Sequence, residues 1–165
     1  MSEPTASNIV EKDGRVRACW AAFCARHGVH EETPYQAFYF GDGPELAHAL
    51  VELVVHGPKR ATTGLRWAID RDPELAPVLG GYSVVTEYDG TPRGVIRTTD
   101  IEERAFKDVD AQYAWDEGEG DRSLDDWREG HWEYFGRECA TLGREPSPEM
   151  RVVMERFELV WVWEK

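Results

Sequence analysis

Positive charge is scarce in this chain. Only 19 lysines and arginines stand against 32 aspartates and glutamates, a formal charge of −13 over 165 residues. That balance excludes a protein that coats nucleic acid through bulk electrostatics, and any anionic partner must enter a local basic pocket. Missing too is an apolar run long enough to span a bilayer, which takes about 20 residues, so no membrane is expected. Met1 to Ser7 are polar and lack the apolar core of a signal segment. Cysteine is rare: Cys19, Cys24 and Cys139 form no C-x-x-C pair, which argues against a zinc set or a disulfide framework. An odd count of three suits a reducing compartment, and the cytoplasm is the expected location. No repeat, low-complexity tract or linker divides the chain. What is present is a hydrophobic fraction of 41% with seven tryptophans, enough for one genuine core.

Taken in order, Asn8 to His27 carries Ile9, Val16, Trp20, Phe23 and Cys24 at near-helical spacing, stopped by Gly28. This predicts an amphipathic helix whose aromatics pack instead of stacking on a ligand. Residues 31–43 read as an irregular, aromatic-rich connection; residues 1–40 together form an arm packed on the main body. Pro44 opens a second helix with Leu46, Leu50, Leu53 and Val54 as its buried stripe, and Gly57 ends it. From Trp67 to Gly81, two prolines and a Gly-Gly predict turns and a short helix. Tyr82–Tyr88 and Gly94–Thr99 flank Asp89-Gly90, a hairpin signal, and 101–106 can continue the second strand. Ser123 followed by Asp126 resembles a capping box opening a helix with Leu124, Trp127, His131, Trp132 and Phe135 on one face. In the closing strand, 151–163, Val153, Phe157, Leu159, Trp161 and Trp163 share parity, with Glu155 as the exception.

Two stretches stand out against this frame. His56-Gly-Pro-Lys-Arg-Ala-Thr-Thr-Gly-Leu-Arg-Trp67 sets Lys59, Arg60 and Arg66 beside Thr62 and Thr63 in an otherwise acidic chain. Such a loop either holds phosphate or carboxylate oxygens or is a helix cap and turn with solvated charges after it. A lysine after a Gly-Pro turn reads as surface-like, so that its loss would leave folding intact within about 0.5 kcal/mol. The second stretch, Asp116-Glu-Gly-Glu-Gly-Asp121, offers oxygens to a hard cation, but its spacing fits a solvated acidic turn ahead of a helix better. His131, on an apolar face, reads first as a packing histidine, and Arg97 as paired with neighbouring acids.

Together these pieces resemble the ASCH family. The matching runs are Gly57-Pro-Lys-Arg-Ala-Thr-Thr63, Arg97-Thr-Thr-Asp-Ile-Glu102, Phe106-Lys-Asp-Val109 and Ala114-Trp-Asp-Glu-Gly-Glu-Gly-Asp-Arg-Ser-Leu124, then Trp127-Arg128 and His131. The match is to the family's larger bacterial branch. It implies an α+β fold, a PUA-like curved antiparallel β-barrel with surrounding helices, and a cleft for RNA or modified nucleosides. Some members resemble ribonucleases acting on single-stranded RNA with a divalent metal ion. Smaller members are amidohydrolases that remove an acyl group from N4 of cytidine, using Lys-x-x-Thr and a glutamate three residues after an alanine. Carried over, that set is Lys59, Thr62 and Glu117, with Arg60, Thr63, Arg66, Arg97 and His131 as substrate-binding candidates. The chain departs from the small members in its length, in Pro58 and Thr63-Gly64 around the motif, and in the second glutamate, Glu119. The expectation is a single-stranded-RNA ribonuclease, with the amidohydrolase second and a non-catalytic RNA-binding module third; a homodimer stays open.

Overall fold

The computed structural model describes residues 8–164; the polar stretch Met1–Ser7 lies outside them. Ten main elements follow one another: α1 Gly14–His27, β1 Tyr35–Tyr39, α2 Pro44–Val55, β2 Ala61–Leu65, α3 Arg66–Arg71, β3 Tyr82–Thr86, β4 Pro92–Ala105, α4 Ala111–Glu117, α5 Leu124–Thr141 and β5 Arg151–Val162. The five strands make one curled half-barrel in the order β1-β3-β4-β5-β2. This is the expected α+β, PUA-like architecture. Its long antiparallel ladder, β4 on β5, runs from Gly94↔Val162 to Ala105↔Arg151.

Local chemistry accounts for the boundaries. Asp13 caps α1 through the N–H groups of Arg15 and Val16, so the helix begins at Gly14, not at Asn8. The residues before it are drawn onto the sheet instead, Ile9 bridging Phe38. Pro44 takes the first turn of α2. Ser123 caps α5 by accepting from the Asp126 N–H, as its sequence signature implies. Gly118 ends α4 with φ +70°.

Three differences from the sequence reading concern strands and a helix. Residues 35–39 are not irregular: they form β1, which pairs in parallel with β3 from Tyr35↔Tyr82 to Tyr39↔Thr86. A parallel neighbour comes from a crossover and leaves no local signature. The basic stretch is itself partly a strand, β2, antiparallel to β5. The acidic stretch begins inside α4, with Glu117 as its last residue.

Packing divides into three apolar clusters. Trp20, Phe23 and Cys24 of α1 pack with Val84 and Val95, holding the N-terminal helix on β3 and β4. Phe40, Val54 and Val55 meet Ile96 and Phe157 under α2. Tyr113, Trp127, Phe135 and Met154 form the third, where α4 and α5 cover β2 and β5. The three cysteines are free and buried, and burial pushes the Cys19 thiol up to about 12. Among the described residues no helix is long and apolar enough to cross a membrane.

Candidate active site

Lys59 sits where α2 ends and β2 begins, and it is not on the surface: 1% of it is exposed. Its backbone N–H donates to the Leu53 carbonyl, and the next amide, of Arg60, donates to the Asp116 carbonyl. The chain is thereby tied to α4 on the far side. Gly118 makes that closeness possible, since a Cβ there would lie 2.7 Å from Lys59 Cα and 2.8 Å from Lys59 N.

The side chain is fully committed. Its ammonium lies 2.6 Å from Glu117 Oε1, 2.6 Å from Glu119 Oε2 and 2.8 Å from the Ala61 carbonyl. Three N–H bonds have three acceptors. Burial lowers the lysine pKa, but the two carboxylates more than reverse this, and the group is raised above its ordinary value. Lys59 therefore rests as an ammonium and not as a base.

Glu117, 1% exposed, is the hub. Besides Lys59, its Oε2 accepts from the Thr63 hydroxyl, from Trp127 Nε1 at 3.2 Å and from His131 Nε2 at 3.1 Å. Burial raises its pKa, yet Lys59 and His131 outweigh burial and hold it well below the usual carboxylate range. His131 sits with its ring stacked on Trp127, centroids 4.2 Å apart. Its Nδ1 lies 2.9 Å from the Trp127 carbonyl. Burial lowers this imidazole too, but Glu117 lifts it above its ordinary value, so both ring nitrogens donate. For Glu119, burial and the Glu117 charge push the carboxyl up against the pull of Lys59; 28% of its side chain is exposed.

These groups floor one cleft of about 330 Å³, within the range of small-molecule sites. Phe38, Phe40, Leu46 and Leu50 form an apolar wall; Thr62, Gly64, Val153 and Glu155 come from the facing strands β2 and β5. Thr62 leaves its hydroxyl without a hydrogen-bond partner among the described residues, while its carbonyl accepts from Tyr113 OH at 2.6 Å. Thr63 is the threonine tied to Glu117 and, at 3.1 Å, to Tyr113.

Of the eight residues singled out in the sequence, Lys59, Thr62, Thr63, Glu117 and His131 meet in this cleft. Three do not. Arg60 points its guanidinium at the carbonyls of Val54, Gly57 and Lys59, closing the end of α2. Arg66 pairs with Asp70 and Glu103. Arg97 donates to the Gly80 carbonyl and lies over the Tyr82 ring, not against an acid as expected. Four further carboxyls, Glu74, Glu133, Glu138 and Glu155, line the cleft without having been singled out in the sequence, two of them with raised pKa. Glu155 was visible as the break in β5 parity; Glu138, on α5, carried no signal. Burial raises each to about 7.

The family model of the ASCH domain matches residues 36–161. The chain belongs to the ASCH family. Its fold is similar to the crystal structure of an ASCH domain from Lactobacillus crispatus JV V101, with a TM-score of 0.81 and 32% identity over 90% of this chain and 96% of that one. A crystal structure of a protein from Enterococcus faecalis V583 is similar at a TM-score of 0.80 and 30% identity, over 90% and 89% of the two chains. No curated protein matches by sequence. In this ASCH domain, Glu117, Glu119 and His131 bring ligand atoms within 4.8 Å of one another, a donor set that invites a divalent ion. The set does not fit one as it stands. The Lys59 ammonium already bridges both carboxylates, and His131 spends Nε2 on Glu117. A metal would have to displace an ammonium and strip a proton from an imidazolium.

Proposed function

We propose that this ASCH domain hydrolyses an amide on a small, uncharged nucleoside-type molecule, of which an N4-acylated cytidine is the simplest representative. The observation that carries this reading is the charge inventory of the cleft. Glu74, Glu133, Glu138 and Glu155 line it, and among the described residues it offers no spare cation: Lys59 is paired with Glu117 and Glu119, His131 with Glu117, and Arg137 with Asp42. A phosphodiester would enter a carboxylate-lined space with nothing to pair with. The ribonuclease expected first would need Arg60, Arg66 or Arg97 at the phosphate, and all three are engaged outside the cleft. An uncharged base suits the wall of Phe38, Phe40 and Leu50.

The residues divide the work. Thr62 brings the unpartnered hydroxyl as nucleophile, which needs a neighbouring base to become reactive. Lys59, held between Glu117 and Glu119, supplies fixed positive charge beneath the scissile carbonyl as negative charge develops there. His131, protonated, adds a second positive group. Glu117 holds Lys59, Thr63 and His131 in register and stays ionised throughout.

The test is direct. Purified protein is incubated with N4-acetylcytidine, with its 5′-monophosphate and with labelled single-stranded RNA, each with and without EDTA. Acetate release from the nucleoside is expected, unaffected by EDTA and at least about tenfold faster than from the monophosphate, the factor that 1.4 kcal/mol of repulsion supplies. RNA cut while the nucleoside survives, or neither turned over by folded protein, overturns the proposal.

A further inference from the structure

A threonine that attacks a carbonyl must lose its proton to something, and the obvious acceptors are spent. Lys59 is already an ammonium, Glu117 receives four donors, and Glu119 is bound to Lys59. Glu155 is placed differently. In the β2–β5 ladder it stands directly opposite Thr62, and both line the cleft. Residues so paired project to one face with Cβ atoms about 4.5–5.5 Å apart, within reach of a glutamate side chain. Thr98 anchors the carboxyl by donating to Oε2 at 2.5 Å, and no other hydrogen bond to that carboxyl occurs among the described residues. The other oxygen is left for the cleft. A carboxyl that is 8% exposed with one neutral partner is costly to keep in a strand, and such groups mark working sites.

Resting on the amidohydrolase reading, we infer that Glu155 is the general base of the cleft, taking the Thr62 hydroxyl proton as Thr62 Oγ attacks the acyl carbon. The sequence then closes with every atom in place. The Thr62 O–C bond forms, and the carbonyl π pair moves to oxygen. As that pair returns, the C–N bond breaks, and the departing nitrogen takes the proton from Glu155. Water next attacks the Thr62 ester, giving a proton to Glu155. Collapse releases the carboxylic acid, and the proton returns to Thr62 Oγ. The net change is amide plus water to amine plus acid. The charged neighbours suit this cycle: burial sets the Glu155 carboxyl to about 7 against the pull of Thr98 and Lys59. Tyr113, under β2, stays neutral because burial and the Glu117 charge keep its own pKa far up. Glu117, Glu119 and His131 from the α4–α5 side are tied into the Lys59 cluster. A base with a pKa near the working pH is the efficient one.

The experiment compares wild type and Glu155→Gln for kcat/KM on N4-acetylcytidine between pH 5 and 9, with urea denaturation at the same pH values. Wild type is expected to gain activity on a limb near pH 7; Glu155→Gln should lose the limb and about 10²-fold or more in rate. Denaturation reads the carboxyl separately. Its folded pKa lies above the unfolded value, so the native state holds a proton the unfolded chain releases, and this group's contribution to stability falls as pH rises from about 4.3 to 7. Glu155→Gln should soften that fall whatever the role of the residue. A purely structural Glu155 would soften the fall and leave the activity limb intact; that result, with rate within threefold of wild type, overturns the inference. Should Glu155→Gln fail to fold, Glu155→Asp replaces it: the limb is expected to persist with kcat reduced about tenfold or more and KM little changed, and an unchanged kcat overturns the inference. Inactive wild type with the expected stability profile overturns the amidohydrolase reading, and the base with it; active wild type with a retained limb in the variant overturns the base alone.

Discussion

Replacing Lys59 with alanine removes the cation that bridges two carboxylates, one of them 1% exposed, and leaves His131 alone to face Glu117. Glu117 Oε1 would lose its partner at 2.6 Å, and the Ala61 carbonyl its donor at 2.8 Å. Breaking a buried pair by removing one member costs about 3–5 kcal/mol, because the other charge stays behind under-compensated. That is several times the half kcal/mol expected of a surface lysine, and for a domain of this length it lowers Tm by about 6–20 °C. The pH dependence has a definite sign. Glu117 titrates far below its ordinary range when folded, so its share of stability is present above the unfolded pKa of about 4.3 and is lost as pH falls below it. The gap between wild type and Lys59→Ala is therefore widest near neutrality and narrows toward pH 4 and below. Urea unfolding followed by tryptophan fluorescence, at pH 7 and pH 4, measures both quantities. Lys59→Met with Glu117→Gln should recover part of the loss, since the pair is then replaced by uncharged shapes. A loss under 1 kcal/mol at pH 7, or a gap that does not depend on pH, would refute the reasoning.

Two further changes probe the same cluster from other sides. Gly118→Ala combines φ +70° with a Cβ 2.7–2.8 Å from the backbone of Pro58 and Lys59; it should cost about 2 kcal/mol or more by thermal melting, and a wild-type Tm would show that α4 can retreat from β2 freely. His131 is raised by Glu117 when folded, so its stabilising share is complete below the unfolded value of about 6.5 and disappears as pH rises through the folded one. His131→Gln should flatten that alkaline decline in urea titrations, and an identical slope in the variant would show that the imidazole is neutral.

Elements with local punctuation were readable from the chain: Pro44 at the start of α2, Asp89-Gly90 between β3 and β4, Ser123 ahead of α5 and the alternation of β5. The strands that escaped lack it. β2 reads Ala-Thr-Thr-Gly-Leu amid basic residues, and only its ladder with β5 makes it a strand. β1 pairs with a partner more than 40 residues away, which no window reveals. At the site, Lys59 and Glu117 were found because two separated motifs matched one family. Their burial was invisible, because it depends on α4 folding back onto the end of α2. Arg60 beside them looked equally available; its geometry instead serves the helix carbonyls. Glu155 was seen as an irregularity in a pattern, and an irregularity gains meaning only once Thr62 is known to stand across from it.

The tie between Lys59 and Glu117 joins residues 58 positions apart in the chain, and it closes the fold at the point where it assembles the cleft. A change at either residue is felt by stability before it can be felt by selectivity, so diversification of ligand choice has little room there. The opposite wall is under no such constraint. Phe38, Leu46 and Leu50 reach the cleft from β1 and α2 and take no part in the charged cluster. Selection, natural or in the laboratory, can reshape that wall one side chain at a time and so alter what the cleft admits while the charged cluster beneath it is inherited unchanged.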